Sequence, residues 1–193
     1  LEDCFSAFHW LLDNGPDGEE RVNNIVVMGD SAGGNLALAL AAELRDNSEH
    51  QANAIVALSP ITDSRLTNPS IKKNMKKDFV LQPLTRNFSW LTSFGLAFAA
   101  KAVARHNPFD RKVSPLLGDL KNLPPTLVHV SDSEILFDDS RRYVNKANDC
   151  GSKASLQVWE NMPHVWHIFY PDIPQANDAF TEIARFIFQQ TKK

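Results

Sequence analysis

The pentapeptide Gly29-Asp30-Ser31-Ala32-Gly33 stands between an apolar, β-branched run at residues 24–28 and an Ala/Leu-rich run that follows Asn35. A serine on a sharp strand-to-helix turn has its hydroxyl held clear of the backbone, where it can attack a carbonyl carbon. The helix that follows points its first N–H groups and positive dipole end at any negative charge developing beside that hydroxyl, which makes the Ala32 N–H an oxyanion donor. A glycine-rich packing turn and a phosphate-binding loop are the alternatives. A phosphate loop requires a Lys-Ser/Thr pair after its glycines, and none is present.

A serine hydroxyl is a weak nucleophile until a base removes its proton, so a histidine and a carboxylate that orients it are required at neighbouring strand ends. The segment "VSDSEILFDD" puts Asp132 first in the loop beyond one predicted strand, and "ENMPHVWHIF" puts His164 in the loop beyond the next. The order Ser31, Asp132, His164 is thus nucleophile, acid, base along the chain. Glu134, Asp138 and Asp139 compete for the acid role, with Asp138 and Asp139 read as caps of the next helix and Glu134 as lying further from the strand end. His167 competes with His164, which is preferred because it directly follows the Met162-Pro163 turn. His129 alternates inside a strand and reads as a core residue.

These residues need a frame to bring them together, and the hydrophobic pattern supplies one. Helices are expected over 1–12, 31–46, 138–148 and 176–190, and strands over 24–28, 54–58, 126–131 and 155–159. Short buried strands alternating with helices imply a parallel sheet with helices on both faces. Residues 65–106 break the rhythm: the stretch contains helical pieces over 71–77, 84–91 and 95–105 and is rich in aromatic residues, Phe79, Phe88, Trp90, Phe94 and Phe98. This stretch reads as a helical cap over the strand ends, between core segments 1–64 and 107–193. Its alternative is an extra helical layer that completes the core.

The bulk composition sets bounds. The chain has 193 residues, 43% apolar and 22% charged, and a net charge of −3, which gives no electrostatic reason to expect nucleic acid as a partner. No apolar run is long enough to span a bilayer. The two cysteines, Cys4 and Cys150, are expected as reduced thiols. A cytoplasmic location is the default expectation.

Together, "GDSAGGNLALAL", "LSPITD", "SPLLGDLKNLPPTLVHVSDSEILFDDSRR" and "VWENMPHVWHIF" resemble the hormone-sensitive-lipase-like branch of the α/β-hydrolases, esterases and lactone hydrolases with a helical cap. The resemblance runs from Leu1 to about Phe188. It implies Ser31 as nucleophile, Asp132 as orienting acid and His164 as base. It also implies hydrolysis of short to medium acyl esters or lactones, with neither metal nor organic cofactor. Asp30, Phe79, Trp90, Phe94, Val165 and Trp166 are expected to line the substrate site. The family's upstream His-Gly-Gly motif, which completes the oxyanion hole, does not occur in these residues. The expectation is therefore a carboxyl-terminal part of an α/β-hydrolase fold, nearly inert by itself, that pairs with an upstream segment or a second copy. Two further readings remain open: a ligand-binding receptor on this fold, which the presence of His164 weighs against, and a fragment that contributes only an interaction surface.

Overall fold

The computed structural model describes residues 1–48, 50–82 and 107–192. Four parallel strands, β1 (Val26–Asp30), β2 (Ala54–Leu58), β3 (Thr126–Ser131) and β4 (Ala154–Trp159), form one sheet in the order β1-β2-β3-β4. Strand order follows chain order, so each crossover carries the chain one position along the sheet and every carboxyl end emerges on the same side. The expected strand at 24–28 is displaced by two residues. Gly29 and Asp30 pair with Ala57 and Leu58, so the strand runs directly into the serine turn.

The helices α1 (Glu2–Asp13), α2 (Ala32–Asn47), α4 (Phe137–Asp149) and α5 (Pro174–Thr191) lie within a few residues of their expected positions, and α3 (Pro69–Asn74) opens the stretch read as a cap. Strand alternation divides β2 between two cores. Ile55 and Ala57 pack with α1, α2 and α4 through Phe8, Leu38, Leu44 and Tyr143, whereas Val56 and Leu58 pack with α5 through Ile183 and Phe180. All five β2 residues are buried, as expected for a central strand covered on both faces. The outer strands β1 and β4 are partly exposed, Met28 to 43%. The helical pieces expected over 84–91 and 95–105, with Trp90 and Phe94, lie outside the described residues.

Asp138 and Asp139 stand in the first turn of α4 but do not cap it, contrary to expectation. The Asp138 carboxylate accepts the Ser70 N–H, and that of Asp139 accepts the Thr62 and Asp63 N–H groups and the Asn68 amide. They bind α3 and the loop beyond β2 to α4, because those segments bring buried backbone N–H groups that need acceptors, and the two carboxylates supply them. Burial pushes Asp139 up to about 6 despite these bonds.

Candidate active site

The turn between β1 and α2 is strained where the serine sits. Ser31 has φ 51° and ψ −113°, and its backbone N–H donates to Leu58 O at 2.8 Å, which anchors the turn to β2. Two glycines make the turn possible. A Cβ on Gly29 would lie 2.3 Å from the Gly33 carbonyl oxygen, and one on Gly34 would lie 3.0 Å from Pro60 Cβ. A Cβ on Gly33 would meet nothing within 4 Å among the described residues, so the second glycine required by packing is Gly34 rather than Gly33. Ala32 is the first residue of α2, and its N–H has no intrahelical partner by position.

The imidazole of His164 bridges two loops. The Ser31 hydroxyl lies 2.9 Å from His164 Nε2, and His164 Nδ1 lies 2.6 Å from Glu134 Oε2. A carboxylate can only accept, so the ring carries its proton on Nδ1 and Nε2 is free to accept from the serine hydroxyl. His164 is held by the turn after β4, where Val165 takes the left-handed conformation at φ 52° and leads into a 3-10 turn, Trp166–Phe169.

The carboxylate against the histidine is Glu134, which corrects the expectation of Asp132. Asp132 comes first in the loop, but its side chain is directed elsewhere: Oδ1 accepts the Asn161 N–H at 2.9 Å and the Ser133 hydroxyl at 3.1 Å, tying the loop after β3 to the loop after β4. Glu134 lies two residues further, and its longer side chain folds back under the strand ends. Its Oε1 accepts the Ser131 N–H at 2.7 Å and the Ser59 hydroxyl at 2.8 Å, leaving Oε2 for the histidine. Burial raises its proton affinity, and these bonds to His164, Ser131 and Ser59 oppose that rise. The acid loop is also clasped from α3. The Asn74 amide donates to the carbonyls of Asp132 and Glu134, both at 2.8 Å, and Asp78 accepts the Ile135 N–H at 3.0 Å.

His167 faces away from the serine. Its Nε2 lies 3.1 Å from His129 Nδ1, and both rings are buried beside Trp159 and Trp166. Desolvation pushes His129 down to about 4, opposed by Gln157 and Glu182, and His167 down to about 3, assisted by its histidine neighbour.

The expected lining residues divide. Beside Ala32 a cleft of about 650 Å³ opens, with Leu36, Ile61 and Val113 in its wall and the charged Glu2, Asp3, Asp110 and Lys112 also bounding it. Asp30 is exposed at the end of β1, and Phe79 is 61% exposed beyond α3. Trp166 is fully buried against Ala176 and Ala179 of α5, so it cannot touch a ligand in the cleft, which corrects its place among the lining residues. The 3-10 turn rotates it toward the sheet. Val165 is buried too, with its N–H 3.4 Å from the Ser59 hydroxyl. Among the described residues no group of three or more His, Cys, Asp or Glu side chains could hold a metal ion. No helix among them is long and apolar enough to cross a membrane.

Comparison with known proteins places this arrangement. Residues 1–168 match a family described by the alpha/beta hydrolase fold. An esterase of Acinetobacter venetianus is 35% identical over 192 residues, covering 96% of this chain and 57% of its own length. The crystal structure of EstE5 soaked with p-nitrophenyl butyrate superposes with a TM-score of 0.83 at 31% identity, covering all of this chain and 60% of that one. An esterase from the bacterial hormone-sensitive lipase family superposes with a TM-score of 0.81 at 34% identity, covering 98% of this chain and 60% of that one. The chain thus spans less than two thirds of the length of these relatives. It belongs to the α/β-hydrolase fold family.

Proposed function

We propose that this chain carries the catalytic groups of a serine carboxylic-ester hydrolase, with Ser31 as nucleophile, His164 as general base and then acid, and Glu134 as the orienting carboxylate. The observation that carries this reading is the continuous relay from the Ser31 hydroxyl through His164 to Glu134, at 2.9 and 2.6 Å. As the Ser31 oxygen bonds to the ester carbonyl carbon, its proton passes to His164 Nε2. The carbonyl oxygen becomes an oxyanion beside the Ala32 N–H, and the positive end of α2 stabilises it. Collapse of the tetrahedral species breaks the bond to the alcohol oxygen, which leaves with the proton from His164. The oxygen of a water then bonds to the acyl carbon as its proton passes to the same nitrogen, and collapse of this second tetrahedral species breaks the bond to the Ser31 oxygen, which takes the proton back from His164 as the acid leaves. Glu134 keeps the proton on Nδ1 and offsets the charge of the imidazolium.

Short to medium acyl esters are the proposed substrates, supported by the p-nitrophenyl butyrate soaked into the related EstE5. The acyl or alcohol group would occupy the cleft beside Ala32. Residues 65–106 are proposed to cap it. The outer edge of β1 has no strand partner among the described residues, and we assign it to a further strand from the longer protein that the relatives represent.

Reaction with a fluorophosphonate probe tests the reading directly. The expected result is one covalent adduct, mapped to Ser31 and lost in Ser31→Ala and His164→Ala. Absence of labelling in a folded protein would leave only a scaffold or binding role.

A further inference from the structure

Ser59 follows the last residue of β2, fully buried, at φ 47° in the left-handed region that residues other than glycine rarely adopt. Its backbone N–H donates to His129 O at 2.7 Å. Its hydroxyl donates to Glu134 Oε1 at 2.8 Å, and its own oxygen Oγ accepts the Val165 N–H at 3.4 Å. One hydroxyl on the central part of the sheet therefore touches both the acid and the residue next to the base.

The geometry points to Ser59 as a positioning residue that locks the Glu134 carboxylate and the His164 loop into mutual register. The inference rests on the proposed hydrolase reading of the site. Glu134 has two oxygens and must present one of them to His164 Nδ1. With Oε1 occupied by the Ser131 N–H and the Ser59 hydroxyl, rotation of the carboxylate would break two bonds at once, so Oε2 stays on the imidazole. The Ser59 hydroxyl also favours the ionised form of an acid that burial pushes toward the neutral one. The Ser131 donor is backbone and the third partner is the base itself, so among the described residues Ser59 is the side chain that can be removed to test the lock. The other nearby carboxylates, one in this loop and one beyond α3, are turned aside. Asp132 faces Asn161 and Ser133, and Asp78, from the segment after α3, accepts the N–H groups of Ile135 and Leu81.

The test compares the unmodified chain with Ser59→Ala and Ser59→Gly by low-field proton NMR of the His164 Nδ1–H. The resonance is assigned by its loss in Glu134→Gln and His164→Ala. In both Ser59 variants it should exchange faster with solvent and collapse on acidification about one pH unit higher, the size expected for losing one hydrogen bond to a charged group. Glycine is at ease at φ 47°, so Ser59→Gly keeps the turn while removing the hydroxyl and also reports if the alanine variant does not fold. Wild-type behaviour in Ser59→Gly, superimposable titrations in both variants, or no low-field resonance in the unmodified protein would each overturn the assignment. Fluorophosphonate labelling of the unmodified chain, run alongside, separates the two ideas: failure to label sinks the hydrolase reading, while the NMR comparison still decides the role of Ser59.

Discussion

At the scale of single residues, the site divides two carboxylates of one loop between different tasks. Glu134 holds the imidazole, while Asp132 ties its loop to Asn161. Glu134→Gln keeps the shape but cannot stabilise the imidazolium, and it should lower kcat for p-nitrophenyl butyrate by about 10⁴-fold, the loss seen when such an acid becomes an amide. Asp132→Asn retains an acceptor for the Asn161 N–H and should leave turnover near that of the unmodified enzyme. Equal losses in the two variants would mean that the relay does not run through Glu134. The histidines separate in the same way: His164→Ala should remove activity, whereas His167→Phe should retain it, since the His167 ring bonds to His129 and not to Ser31.

At the scale of elements, the close approach of α2 to β1 decides which glycine matters. Gly29→Ala forces a Cβ to within 2.3 Å of a backbone oxygen that belongs to a helix and cannot move aside. It should cost about 3 kcal/mol of stability in urea unfolding, the upper part of the range for overpacking. Gly33→Ala meets no neighbour among the described residues and replaces a poor helix former, so its unfolding midpoint should stay level or rise. The short helix α3 offers a second case. Asn74→Ala leaves the carbonyls of Asp132 and Glu134 without their shared donor and should destabilise by about 2 kcal/mol. Activity should fall with it, because the clasp lies directly on the loop of the acid.

At the scale of the whole molecule, stability is tied to pH through the buried pair His129 and His167. Both fold with proton affinities well below that of a free histidine, at about 4 and about 3, so below pH 6.5 the unfolded chain takes up protons that the folded one refuses. Their stabilisation is complete above pH 6.5 and is lost progressively as the pH falls toward those lower values. Asp139, raised to about 6, works in the opposite sense, because the folded state takes its proton first. The histidine contribution is therefore read as a difference. His167→Phe should flatten the fall of stability with acid by up to about 1.4 kcal/mol per pH unit between pH 6.5 and 4, measured by urea unfolding at several pH values. Parallel curves for the two proteins would contradict the buried, neutral state of His167.

The sequence by itself determined the frame and singled out Ser31 and His164, which the structure brings to 2.9 Å of each other. The alternation of apolar strands and helices was legible because burial on both faces of a parallel sheet requires it, and Ser31 was legible because Gly29 must admit the helix backbone. His164 stood out by following the Met162-Pro163 turn at a strand end. The acid was not legible, since Asp132, Glu134, Asp138 and Asp139 all lie within one loop and first turn, and period-two alternation stops where the strand stops. Only the tertiary structure chose among them, through partners distant in the chain: Asn161 engages Asp132, Ser70 engages Asp138, Thr62 and Asn68 engage Asp139, and Ser59, beside the nearby Ser131 N–H, turns Glu134 toward the histidine. The burial of Trp166 was decided in the same way, by a left-handed residue at Val165 that turns the chain inward. A buried carboxylate goes where donors converge, and that convergence is a property of packed loops rather than of position along the chain.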